Sequence, residues 1–263
     1  MQERDAFAAV AALPGVTEAA ASARAALDPL LLDRRLRSAG PQLAAEAAFR
    51  NAQASATLEG AEVPDDELRR GLLTSPLLRV AGGILELQRG LRTWQGQPTR
   101  QVWAALAATA GREYLVDELR GRPRSNGDEL HDPLHLGLQR DAGEVGVRLA
   151  LLAELLHQPT SAPALVVAAL AHGELLALQP FAAGNGVVAR AFSHLLLAQR
   201  GVDPDLLAMT DVGLASLGRA TYVRAIQAYD SGRPEAVAAW CIHLASAFER
   251  GAVLARQTLD SLT

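Results

Sequence analysis

Apolar residues along this chain recur every three or four positions and almost never every second one, which is the spacing of helices with one buried face. Windows that keep this period predict helices over about 4–12, 17–38, 41–58, 65–73, 76–94, 98–110, 144–157, 163–178, 186–200, 214–229 and 233–259. The punctuation agrees. Pro41, Pro76, Pro98 and Pro163 fall at expected first turns, where a missing N–H leaves no hydrogen bond unmade. Gly40, Gly60, Gly111 and Gly201 follow apolar stripes as C-terminal caps. Strand signals are weak: isoleucine is rare, aromatics are 4%, and β-branched residues do not alternate with polar ones. The pattern predicts an all-α fold.

One stretch breaks the period. Residues 112–143 hold Asn126-Gly127, two prolines and mixed charge. A long loop in a compact domain is functional or disordered, so a mobile loop is expected, with a short Asn-Gly hairpin as the alternative. No repeat with a period of 20–50 residues is visible.

Composition adds exclusions. A chain of 263 residues makes one large or two small domains and can bury a proper core. The 49% hydrophobic and 21% charged content is that of an ordinary globular protein. A net charge of −4 gives no reason to expect a nucleic-acid partner. No apolar run approaches the ~20 residues of a membrane span, and the opening Met-Gln-Glu-Arg-Asp does not read as a secretory leader. Cys241 is the sole cysteine, set in an apolar helical pattern, so a buried structural thiol and a reducing, cytoplasmic setting are expected. Every basic residue is arginine; without lysine, a Schiff base or a P-loop is excluded.

The candidate chemistry lies in residues 179–190, Gln-Pro-Phe-Ala-Ala-Gly-Asn-Gly-Val-Val-Ala-Arg. Two glycines around a small polar residue let the backbone turn its N–H groups outward at a helix start. Those amides and the positive helix end favour an anion. As a dinucleotide fingerprint, Gly184-x-Gly186-x-x-Ala189 would need a strand before it and a βαβ unit around it; the preceding residues are helix formers instead. A plain helix–loop–helix corner remains the simplest structural alternative.

The string resembles the signature of the Fic (Fido) family, His-Pro-Phe-x-(Asp or Glu)-Gly-Asn-Gly-Arg-x-x-Arg. Farther on, Tyr222, Ala225, Tyr229, Gly232 and Trp240 resemble the family's C-terminal helices, and upstream Ser55-Ala-Thr-Leu-Glu59-Gly60 resembles the inhibitory-helix motif (Ser or Thr)-x-x-x-Glu-(Gly or Asn). The resemblance spans roughly 45–250. It implies a Fido-type helical bundle, with an N-terminal helical region at 1–95 packed on a core at 96–259. The family transfers a nucleotide monophosphate, usually AMP from ATP, to a protein hydroxyl. In it the histidine deprotonates the hydroxyl, the acid holds Mg²⁺, glycines and asparagine cradle phosphates, the second arginine reaches the terminal phosphate, and the inhibitory glutamate competes for that arginine.

Carried over by position, Pro180, Phe181, Gly184, Asn185, Gly186 and Arg190 are retained. Gln179 stands at the histidine position, Ala183 at the acid and Val187 at the first arginine. An amide cannot accept a proton, and general-base help is worth about 10²–10⁴ in rate. The lost carboxylate argues against Mg²⁺. The resemblance therefore implies a degenerate member: Gly184, Asn185, Gly186 and Arg190 binding a nucleotide or phosphate, Ser55, Glu59 and Gly60 autoinhibitory, Glu59 paired to Arg190, and no standard AMP transfer. Two alternatives stand beside it, a transferase with altered catalytic residues and a non-catalytic interaction scaffold. The partners implied are a nucleotide such as ATP and a protein partner or target; the oligomeric state is not set by the sequence.

Other histidines attract blander readings. His172 and His194 read as core or surface residues, and His172-Gly-Glu174 lacks the cysteine pair a zinc deaminase needs. His131 and His135 share i, i+4 spacing but no third spaced ligand.

Overall fold

The computed structural model describes residues 5–138 and 140–263; the predicted helix start at residue 4 and the first four residues of the opening Met-Gln-Glu-Arg-Asp lie outside them. Among the described residues there are helices and no strand. In chain order they are α1 (Ala6–Ala11), α2 (Val16–Leu31), α3 (Leu36–Leu58), α4 (Asp65–Arg69), α5 (Pro76–Gly90), α6 (Thr99–Ala110), α7 (Ala142–His157), α8 (Ala164–Leu178), α9 (Asn185–Gln199), α10 (Thr210–Leu217), α11 (Arg219–Tyr229) and α12 (Pro234–Leu262).

Helices α8 and α9 form the centre. Both are buried around nearly their whole circumference; α8 is apolar on nearly every side, whereas α9 buries Asn185, Arg190, Ser193 and His194 as well. Close approach to α8 depends on Gly173, where a Cβ would run into Trp240 and Tyr229; Trp240 of α12 sits fully buried and donates its indole N–H to the Ala169 carbonyl at 2.7 Å. Helix α6 covers α9 with Trp103 edge-on to Phe192. The N-terminal helices are packed on this centre: α2 lies along α12, and α3 lies against α5, α10 and α12.

The predicted helix over 17–38 is two helices, broken after Leu32 by Asp33. The Asp33 carboxylate accepts the Arg35 N–H at 2.9 Å and grips the Arg35 guanidinium, a local side-chain alternative to continuing the helix. Helix α3 then starts earlier than expected, so Gly40 and Pro41 lie inside it rather than at a boundary. The helix expected over 214–229 breaks at Gly218, whose φ of 94° serves the junction between α10 and α11. The helix expected over 65–73 stops at Arg69, and the one over 76–94 tightens to a 3₁₀ turn after Gly90.

The aperiodic stretch takes a definite course. Among its described residues it forms no hairpin: Asn126 accepts the Ala142 N–H at 2.6 Å and donates to Asp141, which itself caps α7. Its backbone reaches the next loop, with Arg124 N–H on the Pro180 carbonyl and His131 N–H on the Ala182 carbonyl, both at 2.8 Å.

Candidate functional site

The loop between α8 and α9 is shaped at both ends by left-handed residues. Gln179 closes α8 at φ 43° and Gly184 opens α9 at φ 78°. The first is costly for a residue with a Cβ; the Gln179 carbonyl is held there by the Arg124 guanidinium at 2.8 Å. At Gly184 a Cβ would strike Ala110 at the end of α6. Asn185 spends its side chain on the loop itself, accepting the Phe181 N–H at 2.9 Å and donating to the Phe181 carbonyl at 2.7 Å. What Asn185, Gly186 and Val187 can offer outward is their backbone N–H groups, which have no intrahelical carbonyl at the first turn.

The Glu59 carboxylate lies beside that helix start, against Gly186. A Cβ on Gly186 would overlap Oε1 of Glu59 and crowd Nη1 of Arg190. Glu59 takes a hydrogen bond from Arg190 Nη2 at 2.6 Å, with side chains 4% and 0% exposed. The reach of Glu59 is set by how α3 ends. Gly60, at φ 83°, donates to the Thr57 carbonyl at 2.9 Å and Ala61 to the Ala56 carbonyl at 2.8 Å, the paired bonds of a Schellman cap. Glu59 is thus the last residue before the turn and projects from the end of α3. A bare carboxylate there would oppose the helix dipole; the Arg190 charge compensates it.

Arg190 makes four hydrogen bonds among the described residues, the one to Glu59 included. Its Nε donates to Ser55 Oγ at 2.8 Å, its Nη2 also to the Ser55 carbonyl at 3.3 Å, and its Nη1 to Tyr222 Oη at 3.4 Å. Burial pulls the guanidinium pKa down, but Glu59, Tyr222 and Asp211 outweigh it and leave it above the ordinary arginine value. Tyr222, raised by the same burial, lies 2.7 Å from His172 Nε2. His172 is held well below the usual imidazole range, first by burial and then by Arg190. Ser55, Glu59, Gly186, Arg190, Tyr222 and His172 therefore form one buried assembly.

Gln179 is brought beside this assembly in sequence but not into it: it is 2% exposed, and its Oε1 has no partner among the described residues. Ala183 is buried and presents a methyl group where a metal ligand would need oxygen. Among the described residues no group of three or more acids, cysteines and histidines could hold a metal ion; the donor set does not fit Mg²⁺. His194 lies elsewhere, with Nε2 3.0 Å from Asp211. His131 stacks on Tyr114 at 4.1 Å between ring centroids, and burial first, then the Glu59 charge, raises the Tyr114 pKa.

Two contributors carried no sequence signal. Arg219, the first residue of α11, donates to the Leu58 carbonyl at 2.9 Å and the Pro133 carbonyl at 2.5 Å. It fastens the end of α3 and the aperiodic stretch together. Arg124 fastens the same stretch to Gln179 and, through Nη2, to the Arg140 carbonyl at 2.8 Å.

Residues 112–197 match the model of the Fic/DOC family. Of similar solved structures, a Fic family protein from Desulfovibrio desulfuricans G20 aligns with TM-score 0.77 and 21% identity over 93% of this chain and 75% of that one. Fic-1 (residues 134–508) from C. elegans aligns with TM-score 0.69 and 15% identity over 95% and 73%. No curated protein matches the sequence. The fold is that of Fic family proteins. No described helix is long and apolar enough to cross a membrane.

Proposed function

We propose that this chain, with a Fic/DOC-family segment on a Fic-protein fold, is a degenerate member that binds a nucleotide or phosphate group and lacks standard AMP transfer. The observation that carries the reading is the buried contact of Glu59 with Arg190 at 2.6 Å, against Gly186. A carboxylate seated on a helix start and a guanidinium marks a position with affinity for anionic oxygens. Glu59 holds that position in the resting state, and displacing it opens the site to a phosphate.

The chemistry is weak at each step. Gln179 can orient a hydroxyl through its unpartnered Oε1 but cannot take its proton. Ala183 holds no metal, and Val187 brings no second charge to the phosphates. His172 is neutral and already committed to Tyr222. The site thus suits binding and regulation, with a protein partner reading its occupied or plugged state. A lone, buried cysteine suits the reducing cytoplasm.

The test is a titration of ATP, with and without Mg²⁺, into the wild-type chain and Glu59→Gly, followed by incubation of both with labelled ATP. Binding by Glu59→Gly without label transfer is the expected result. Label transfer by the wild-type chain would select the altered-transferase alternative, and no binding by either protein would leave the scaffold reading.

A further inference from the structure

The hold on Glu59 involves more than Arg190. Helix α3 ends at Leu58, and the last carbonyls of a helix need partners from beyond its own ladder. Ser55 accepts from Glu59 N–H at 3.2 Å and from Arg190, Ala56 from Ala61 N–H, and Thr57 from Gly60 N–H. Leu58 is left over, and its carbonyl accepts from Nε of Arg219 at 2.9 Å. Both hydrogen bonds that Arg219 makes among the described residues end on carbonyls. Its charge therefore answers the negative end of α3.

The Leu58 carbonyl is joined directly to Glu59. Leu58 C=O and Glu59 N–H belong to one planar peptide unit, and both polar ends of that plane are pinned, the N–H by Ser55 and the C=O by Arg219. The Glu59 side chain branches from this unit, so its direction toward Gly186 follows from how the plane is held. The other end of Arg219 supplies a reference point. Its Nη2 donates to the Pro133 carbonyl at 2.5 Å, in a segment tied to the loop before α9 by His131 N–H on the Ala182 carbonyl. Gln227 of α11 holds the same segment at the Leu136 carbonyl, at 3.2 Å, and Leu134 and Leu136 are buried. The end of α3 is thus fixed relative to the loop by a route that does not pass through the Glu59–Arg190 pair.

We propose that Arg219 is the positioning residue of the autoinhibitory contact. It holds the Leu58–Glu59 peptide so that the carboxylate rests against Gly186, and thereby sets how readily a nucleotide phosphate takes that place. The inference rests on the function proposed above for this site. Loss of the Arg219 bonds raises the fraction of chains with Glu59 displaced, and apparent nucleotide affinity rises in proportion while that fraction is small.

The test is calorimetric titration of ATP into the full chain and its variants Arg219→Met, Glu59→Gly and the combination of the two, beside amide hydrogen exchange over residues 55–61 without nucleotide. Arg219→Met should bind ATP at least about tenfold more tightly than wild type. In the Glu59→Gly background the same change should move the affinity by less than about twofold, because no carboxylate is left to position; an arginine with a merely structural role would change both backgrounds alike. Exchange should quicken at least about fivefold in Arg219→Met, and Arg219→Lys, which keeps a cationic donor on a long stem, should return most of the protection. Equal ATP affinity of Arg219→Met and wild type beside a tighter-binding Glu59→Gly would overturn the inference, as would an equal change in both backgrounds. If Glu59→Gly binds no ATP, the nucleotide reading fails by itself and exchange decides for Arg219: an unchanged rate overturns its role, and a faster one restored by lysine upholds it.

Discussion

Replacing Glu59 by alanine removes a carboxylate from the side of a guanidinium that has no exposed surface. Breaking a buried ion pair by deleting one partner costs about 3–5 kcal/mol, because the other charge is left uncompensated. Ser55 and Tyr222 keep their bonds to Arg190, which places the expected loss toward 3. A domain of this size loses about 2–4 °C per kcal/mol, so the melting temperature of Glu59→Ala should fall by at least about 6 °C. The same substitution opens the place of the carboxylate to a phosphate. ATP at a hundred times its dissociation constant would return about 2.7 kcal/mol, most of the loss, while leaving the plugged wild-type chain nearly unmoved. Adding Arg190→Met to Glu59→Ala removes the stranded charge, so the double variant should be more stable than the single one. Differential scanning calorimetry of the three proteins, with and without ATP, reads all of this. A Glu59→Ala melting point within about 1 °C of wild type, or equal ATP stabilisation of both, would refute the reasoning.

Three further outcomes follow from individual groups. Gly186→Ala inserts a Cβ where Glu59 Oε1 lies; the carboxylate must swing away, so this variant should copy the lower melting point of Glu59→Ala with Glu59 still present. Burial depresses His172 and His243 below the ordinary value of 6.5, so the fold favours neutral imidazoles. Their stability contribution is whole above about pH 6.5 and falls at about 1.4 kcal/mol per pH unit for each group below it, until the folded pKa is reached. Denaturant titrations of His172→Gln at pH 7.5 and 5.5 should show a smaller decline than the wild type; an unchanged slope would remove His172 from the account. Burial pushes the Cys241 thiol up to about 12, so a disulfide reagent at pH 8 should label it only on unfolding, whereas rapid labelling of the folded chain would contradict that environment.

Helix type was legible because periodicity registers burial, and burial decided this fold. Boundaries were legible where a cap has its own chemistry. Gly60 is the left-handed residue that ends α3, and Pro76 is the first residue of α5. They were missed where the stop is a side-chain clasp, as with Asp33 and Arg35, or where a proline is absorbed within a helix, as with Pro41. The loop at 179–190 was visible because its glycines answer local demands: left-handed backbone at Gly184, room for a neighbouring carboxylate at Gly186. The other partners of Arg190 answer to no local rule. Ser55 and Glu59 are 135 and 131 residues away, and only their resemblance to a family motif points to them. Arg219 and Arg124 bind backbone carbonyls, which every residue possesses, so no pattern in the chain identifies their targets.

The retained groups are those that the fold itself requires. Asn185 ties the loop to Phe181, Gly184 admits Ala110, and Arg190 holds α3 through Ser55 and Glu59. Removing any of them disturbs packing whether or not a nucleotide ever binds. Two of the three positions that differ from the family pattern are ones where a replacement is structurally mild: a methyl group fits the buried place of Ala183, and Val187 joins the core. Retention of the loop therefore cannot by itself distinguish a binding site from a structural corner. The Glu59 carboxylate is what the proposed function adds to a structural corner, since two hydrophobic residues would fill the same space without the cost of desolvating a charge pair. The proposed exchange of that carboxylate for another anion depends on this charge, set on the end of a helix that would have to be displaced.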